Sequence, residues 1–218
     1  FFHTLKYLKP GQVTNRLTRC LRKPRHYRGK APKPVAPKTP WQVNATLAPS
    51  FIVDGLADFL GESGPLYEWE NPYKSKLWLY NLHYFDDLLA EGARHKATLH
   101  GEVIARWLAD NPPLVGTGWE PYPLSLRICN WTKWLLVGNS PVEGMQTSLV
   151  EQAHALSQQV EHHLLGNHIL ANAKALVFAG NYFEGKAADQ WLQAGLELLE
   201  VQLAEQVLKD GAHFELSP

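Results

Sequence analysis

The sequence predicts an all-α protein built from antiparallel helical hairpins, arranged as a bundle or as a helical-hairpin toroid. Three observations carry this. Apolar residues recur at three- and four-residue steps through six successive segments between Leu77 and Val207. The joints between those segments are short and hold the Gly, Pro and Asn residues that stop and start helices. Alternating strand patterns are almost absent, and no fixed period recurs, which sets a 34-residue helical repeat array aside.

Residues 1–30 set Leu5, Leu8, Val13, Leu17 and Leu21 among Lys6, Lys9, Arg16, Arg19, Arg22 and Arg25, a pattern suited to one or two short amphipathic helices. No nucleic-acid motif or aromatic stacking pattern accompanies this charge. The leader is therefore expected to pack on the outside of the domain rather than to act as a nucleic-acid or membrane-surface arm. Pro32, Pro34, Pro37 and Pro40 then make a stiff extended linker. This divides the chain into a leader and linker, 1–40, and a helical domain, 41–218.

From Phe51 onward a helical pattern is expected throughout. Leu77, Trp78, Asn81, Tyr84, Phe85, Leu88 and Leu89 share one face, opened by Asn71-Pro72 and closed near Gly92. Val103, Ile104, Trp107 and Leu108 form a shorter helix ended by Asn111-Pro112-Pro113. Leu124, Ile128, Trp131 and Leu135 precede a break at 138–141. Leu149 to Leu164 and Ile169 to Phe183 flank Gly166, and Leu192 to Val207 form the last helix.

Composition narrows the class. There are eight Trp, eight Tyr and eight Phe, yet no run of apolar residues reaches the length of a membrane span. The net charge of zero hides an asymmetry. Eleven of the 21 Lys and Arg fall in residues 1–40, which hold no Asp or Glu, leaving ten basic and 21 acidic side chains and a net charge of −11 in the remainder. Cys20 and Cys129 stand far apart in unlike settings and read as unpaired thiols. Because the first residue is Phe1 rather than Met, the true start is expected upstream. Residues 210–218 read as a turn and the start of an extended piece cut short.

The stretch Glu161-His162-His163-Leu164-Leu165-Gly166-Asn167-His168-Ile169 combines a glycine break with a polar pair at the start of the next helix. Asn167 either caps that helix or, with His168, presents donors to an anionic substrate group. Two clusters mix aromatic and polar residues: 71–86, with Asn81 and His83, and 116–131, with Trp119, Glu120, Tyr122, Arg127 and Asn130. Most aromatics on such helices pack a core. The amides, carboxylate and guanidinium between them suit a sugar-binding cleft, where rings stack and donors take hydroxyls and carboxylates.

These residues resemble the heparinase II/III-like polysaccharide lyases. The resemblance rests on Lys76-Leu77-Trp78-Leu79-Tyr80-Asn81-Leu82-His83-Tyr84-Phe85, on Gly118-Trp119-Glu120-Pro121-Tyr122-Pro123-Leu124-Ser125-Leu126-Arg127, and on the run from Leu165 to Leu176; the leader and the tail 210–218 are similar to the family too. The resemblance implies an incomplete (α/α) toroid preceding a β-sandwich domain, and β-elimination on a uronic-acid polysaccharide. It favours a periplasmic or secreted bacterial protein and calls for no cofactor. Carried over by motif, Asn167 would neutralise the uronate carboxylate and His168 would assist as donor or base. The family's acid/base tyrosine would follow Pro218 and a further histidine would come from the β-sandwich, so this chain would hold half a catalytic apparatus.

Other readings stay open. His162, His163 and His168 lack the spacing of the two-histidine helical zinc motif, and no metal is expected. His213 and Glu215 alternate on one side of an extended segment, as a solvated edge or as a rim of the cleft. A toroidal glycoside hydrolase would need paired carboxylates, with Asp86, Glu120 and Glu215 as nominees; a non-catalytic glycan-binding module would need none. The acidic body disfavours a heavily sulfated substrate unless Arg94, Lys96, Arg106, Arg127, Lys133 and Lys174 make the cleft locally basic.

Overall fold

The computed structural model describes residues 23–36, 39, 41, 48–162, 164 and 166–212. Among them are six α-helices: α1 Lys76–Tyr84, α2 Ala97–Asp110, α3 Pro121–Leu136, α4 Met145–Gln158, α5 Gly166–Tyr182 and α6 Lys186–Gln206. Local chemistry sets their ends. The Ser75 side chain accepts the Trp78 N–H to open α1, and Phe85, at φ 62°, closes it. Pro121 occupies the first turn of α3, where no backbone N–H is needed. No helix among the described residues is long and apolar enough to cross a membrane.

Contact pairs give the helix directions. Between α1 and α3, Lys76 meets Glu120, the Arg127 guanidinium donates to the His83 carbonyl and Asn130 to the Tyr84 carbonyl, so the two run parallel. Between α3 and α5, Tyr122 packs against His168, and Asn172 donates to Ser125, again parallel. The other helices return. Trp107 of α2 bonds His83 while His100 bonds Asp87, and Gln152 of α4 accepts from Arg127 while Gln159 donates to the Trp119 carbonyl. Gly180 lies against Leu192, Val177 and Ala173 against Gly195, and the Gly166 carbonyl accepts from Gln206, so α5 and α6 are antiparallel along their length. Their seam is close enough to require glycine: a Cβ on Gly195 would sit 2.9 Å from the Ala173 carbonyl oxygen.

Three consecutive hairpins with parallel first helices form the arc of an (α/α) toroid, as expected. α3 buries 12 of its 16 residues and α6 only five of its 21, which places α3 inside and α6 outside. The core centres on Trp107, fully buried, which packs edge-on against Trp131 at 5.4 Å and lies tilted to Trp119 at 6.0 Å.

One expectation needs correction. The helical pattern does not begin at Phe51: residues 52–65 form a three-stranded antiparallel sheet, β2 Ile52–Val53, β3 Leu56–Phe59 and β4 Glu62–Pro65. Its two turns, Asp54-Gly55 and Leu60-Gly61, hold all four residues at positive φ, from 50° to 77°. That is the backbone of the tightest hairpins, and Asp-Gly is its best sequence sign. The sheet is fixed by Phe59 edge-on to Trp78 and by the Trp78 indole N–H donating to the Glu62 carbonyl at 2.8 Å.

The described part of the proline-rich linker runs extended, and its strand β1, Lys33–Pro34, pairs with β5, Phe183–Glu184, between α5 and α6. Tyr27 rests against His154 and Trp191, and its backbone N–H donates to Glu151. The first 22 residues of the leader lie outside those described.

Candidate functional site

Because α1, α3 and α5 run parallel, their N-terminal ends gather at one end of the arc. Lys76 and Tyr80 come to this rim from α1, Glu120 and Tyr122 from the start of α3, Glu161 from the α4–α5 loop, and Asn167 and His168 from the first turn of α5. Gly166, at φ 58°, makes the corner before that turn. Asn167 is exposed and has no hydrogen bond to its side chain among the described residues. It does not act as the cap, since α5 already begins at Gly166.

His168 is held on two sides. Its ring lies tilted against Tyr122 at 41°, with centroids 4.3 Å apart, and its Nδ1 lies 3.2 Å from Glu161 Oε2. Glu161 is 4% exposed. Asn172 binds it twice, accepting the Glu161 backbone N–H at 2.8 Å and donating to Oε2 at 3.3 Å; the same amide donates to Ser125 Oγ at 2.9 Å.

The second carboxylate of the rim is likewise engaged. Glu120 accepts from the Tyr80 hydroxyl and pairs with Lys76 at 2.9 Å. Rings continue from Tyr80 to Tyr84 at 6.3 Å and on to Tyr122 at 5.8 Å. Burial, reinforced for Tyr80 by Glu120 and for Tyr84 by the neighbouring Tyr122, pushes both phenols far above their ordinary range. The protonated form is thereby favoured in both, and the Tyr80 hydroxyl donates to Glu120.

Of the residues expected in the cleft, the structure brings Glu120, Tyr122, Asn167 and His168 together. Asn81 folds its amide back to the Leu77 carbonyl of its own helix at 2.8 Å. Four others are corrected to the interior. Trp119 is 4% exposed and packs on Trp107. Asn130 donates to the Tyr84 carbonyl and to Asp86, at 2.9 and 2.7 Å. Arg127 is fully buried, with its guanidinium carbon 4.0 Å from the centre of the Trp107 ring and its nitrogens bonded to Gln152, His83 and Gly118. His213 and Glu215 lie outside the described residues. Sequence reading missed Tyr80, Tyr84 and Glu161 as rim residues. Glu161 had one signal, a lone carboxylate at the end of an apolar run just before the glycine break.

His83 is the fourth. It is fully buried, takes the Trp107 indole N–H at Nδ1 at 3.0 Å and faces the Trp69 carbonyl with Nε2 at 3.2 Å, which fixes the Nε2–H tautomer. Burial first, and the Arg127 charge second, bring its pKa down to about 3. The unfolded chain, with an ordinary histidine near 6.5, binds this proton more readily, so stability is full above that value and falls as pH drops toward 3. Between pH 7 and pH 5 the expected loss from this one group is about 2 kcal/mol. Urea unfolding at the two pH values, on wild type and His83→Gln, checks this: the variant's pH slope is shallower by that amount.

Parallel inner helices and antiparallel outer returns define an (α/α) toroid domain with a polar rim at the inner helices' N-termini. The chain belongs to the heparinase II/III N-terminus family, whose model matches residues 107–218. It is 32% identical over 127 residues to a heparin-sulfate lyase of Bacteroides thetaiotaomicron, covering 53% of this chain and 18% of that protein. It is 35% identical over 107 residues to a heparin-sulfate lyase of Pedobacter heparinus and 32% identical over 106 residues to one of Bacteroides stercoris, each match covering 46% of this chain and 16% of the relative. The chain thus spans under a fifth of the length of these curated relatives. No solved structure matches.

Proposed function

We propose that this domain binds a uronic-acid polysaccharide at the rim and supplies the carboxylate-neutralising part of a β-elimination site. The observation that carries this reading is an exposed Asn167 in the first turn of α5, its amide without a partner among the described residues, at the end of the arc where the N-termini of α1 and α3 also lie. Each N-terminus brings roughly half a positive charge, and the two carboxylates beside it are engaged, Glu120 by Lys76 and Tyr80, Glu161 by His168 and Asn172. An anion is favoured there despite the acidic body. The names of the relatives, heparin-sulfate lyases, agree with such a substrate.

In β-elimination the proton beside the uronate carboxylate is removed and the bond to the leaving sugar oxygen breaks. That proton is weakly acidic until the charge spreading into the carboxylate is offset by fixed donors. Asn167 offers two N–H donors that never ionise. His168 sits one residue on in the same turn, within reach of the same sugar.

Titration calorimetry tests the reading with an unsulfated glucuronate–N-acetylhexosamine tetrasaccharide and the same compound with its carboxylates reduced to alcohols. Reduction is expected to weaken binding about tenfold or more, the equivalent of one charge-assisted hydrogen bond. Equal affinity for the two would remove the carboxylate from the recognition and overturn the proposal.

A further inference from the structure

We infer that Glu161 is a positioning residue for His168: its buried carboxylate holds the imidazole in the Nδ1–H tautomer and turns the unprotonated Nε2 toward the cleft. The inference rests on the rim being the carbohydrate site, and it adds the group that decides which face His168 presents.

The geometry is closed on the protein side. Glu161 Oε2 lies 3.2 Å from His168 Nδ1, and a carboxylate oxygen can only accept, so in the neutral ring the proton of this contact sits on Nδ1. The carboxylate cannot swing away. Its backbone N–H donates to Asn172 Oδ1 and its side chain receives Asn172 Nδ2, while Asn172, fully buried, is tied in turn to Ser125, whose hydroxyl donates to the Pro121 carbonyl at 2.8 Å. Tyr122, tilted at 41° with its centroid 4.3 Å away, packs against the ring from a second side. Two helices and one loop therefore converge to orient a single imidazole.

Packing alone accounts poorly for this arrangement. A carboxylate at 4% exposure carries a desolvation cost that an apolar side chain of similar size avoids. What the carboxylate provides that a leucine does not is an acceptor aimed at Nδ1. The consequence is at the other nitrogen. His168 is about one-third exposed, and with Nδ1–H committed inward, Nε2 is the atom left for a ligand. In the neutral ring it accepts from a sugar hydroxyl; protonated, it donates to a carboxylate beside Asn167.

Nitrogen-15 NMR of the histidine rings in this chain, at a pH where imidazole is neutral, reads the tautomer directly. Wild type is expected to show His168 mainly as Nδ1–H. Glu161→Leu, which keeps the volume and removes the acceptor, is expected to shift the ring to mainly Nε2–H. Glu161→Gln keeps a carbonyl oxygen that can accept from Nδ1–H, and is expected to restore the wild-type tautomer. A merely structural role would not separate these two variants. An Nε2–H ring in wild type, or the same tautomer in wild type and Glu161→Leu, overturns the inference. Should Glu161→Leu fail to fold, the wild-type spectrum together with Glu161→Gln still decides it. Titration of the unsulfated tetrasaccharide into the same samples separates the two claims. An Nδ1–H ring with no binding leaves the positioning role standing and sinks the carbohydrate reading, whereas binding with an Nε2–H ring does the reverse.

Discussion

Asn167→Ala is expected to abolish most of the carboxylate-dependent function while leaving the fold intact. The side chain is exposed at the first turn of α5 and has no described hydrogen bond, so its removal leaves no buried group unpaired. Surface changes of this kind move stability by about 0.5 kcal/mol or less. The functional cost is of another size. Removing one preorganised donor from a developing anion costs roughly 10²–10³ in kcat. On the protein that carries this domain, release of the unsaturated product, followed by its ultraviolet absorbance, is expected to fall by that factor with KM changed far less. In the binding assay, Asn167→Ala is expected to bring the affinity for the uronate tetrasaccharide down toward that for its reduced form. A variant with wild-type turnover would leave the rim without a role in chemistry. Tight binding with no unsaturated product even from wild type would favour a glycan-binding module.

The largest loss of stability is expected from Arg127→Ala. This guanidinium is fully buried and has no carboxylate beside it; it is held by three oxygen acceptors, at 2.8 to 3.3 Å, and by the face of Trp107. Burial accordingly draws its pKa well below the ordinary arginine value. Truncation removes the donors of three buried acceptors and opens a void beside Trp107 and Trp131, a combined cost of about 3–5 kcal/mol. For a chain of this length that is a drop in Tm of roughly 6–20 °C. Arg127→Met, which fills the volume without a buried charge, is expected to lose less. Calorimetry of the three proteins checks the order. An Arg127→Ala variant as stable as wild type would place the side chain at the surface after all.

Arginine in an aromatic-rich segment reads equally well as a ligand contact and as a brace between helices, and periodicity cannot separate the two. Leu124, Ile128, Trp131 and Leu135 marked the buried face of α3 correctly. Arg127 lies one residue from that face, and partners distant in sequence, Gln152 of α4, Trp107 of α2 and the His83 and Gly118 carbonyls, decide that it points inward. His83 was misplaced for the same reason: its partners Trp69 and Trp107 lie 14 and 24 residues away. The helices themselves were legible because each carries its own apolar stripe and its own stop signals. The hairpin at 52–65 was not, because its strands are two to four residues long and the pattern there is carried by turns. At the rim, Asn167 and His168 stood out as a polar pair at a break. Glu161 did not, since the bond that gives it meaning crosses that break.

The common direction of α1, α3 and α5 also divides the connections into two sets with unequal freedom. The connections from α2 to α3 and from α4 to α5 cross the end proposed to meet ligand, and they carry Glu120 and Glu161, the two carboxylates engaged there. The turns at 137–144 and 183–185 sit at the opposite pole, some 20 Å of helix away by α3's length. Inserted segments, tags or altered turn types there leave the binding geometry undisturbed, because rigid helices stand between. On the proposed reading, ligand preference can therefore be retuned through one ring of loops while the other drifts.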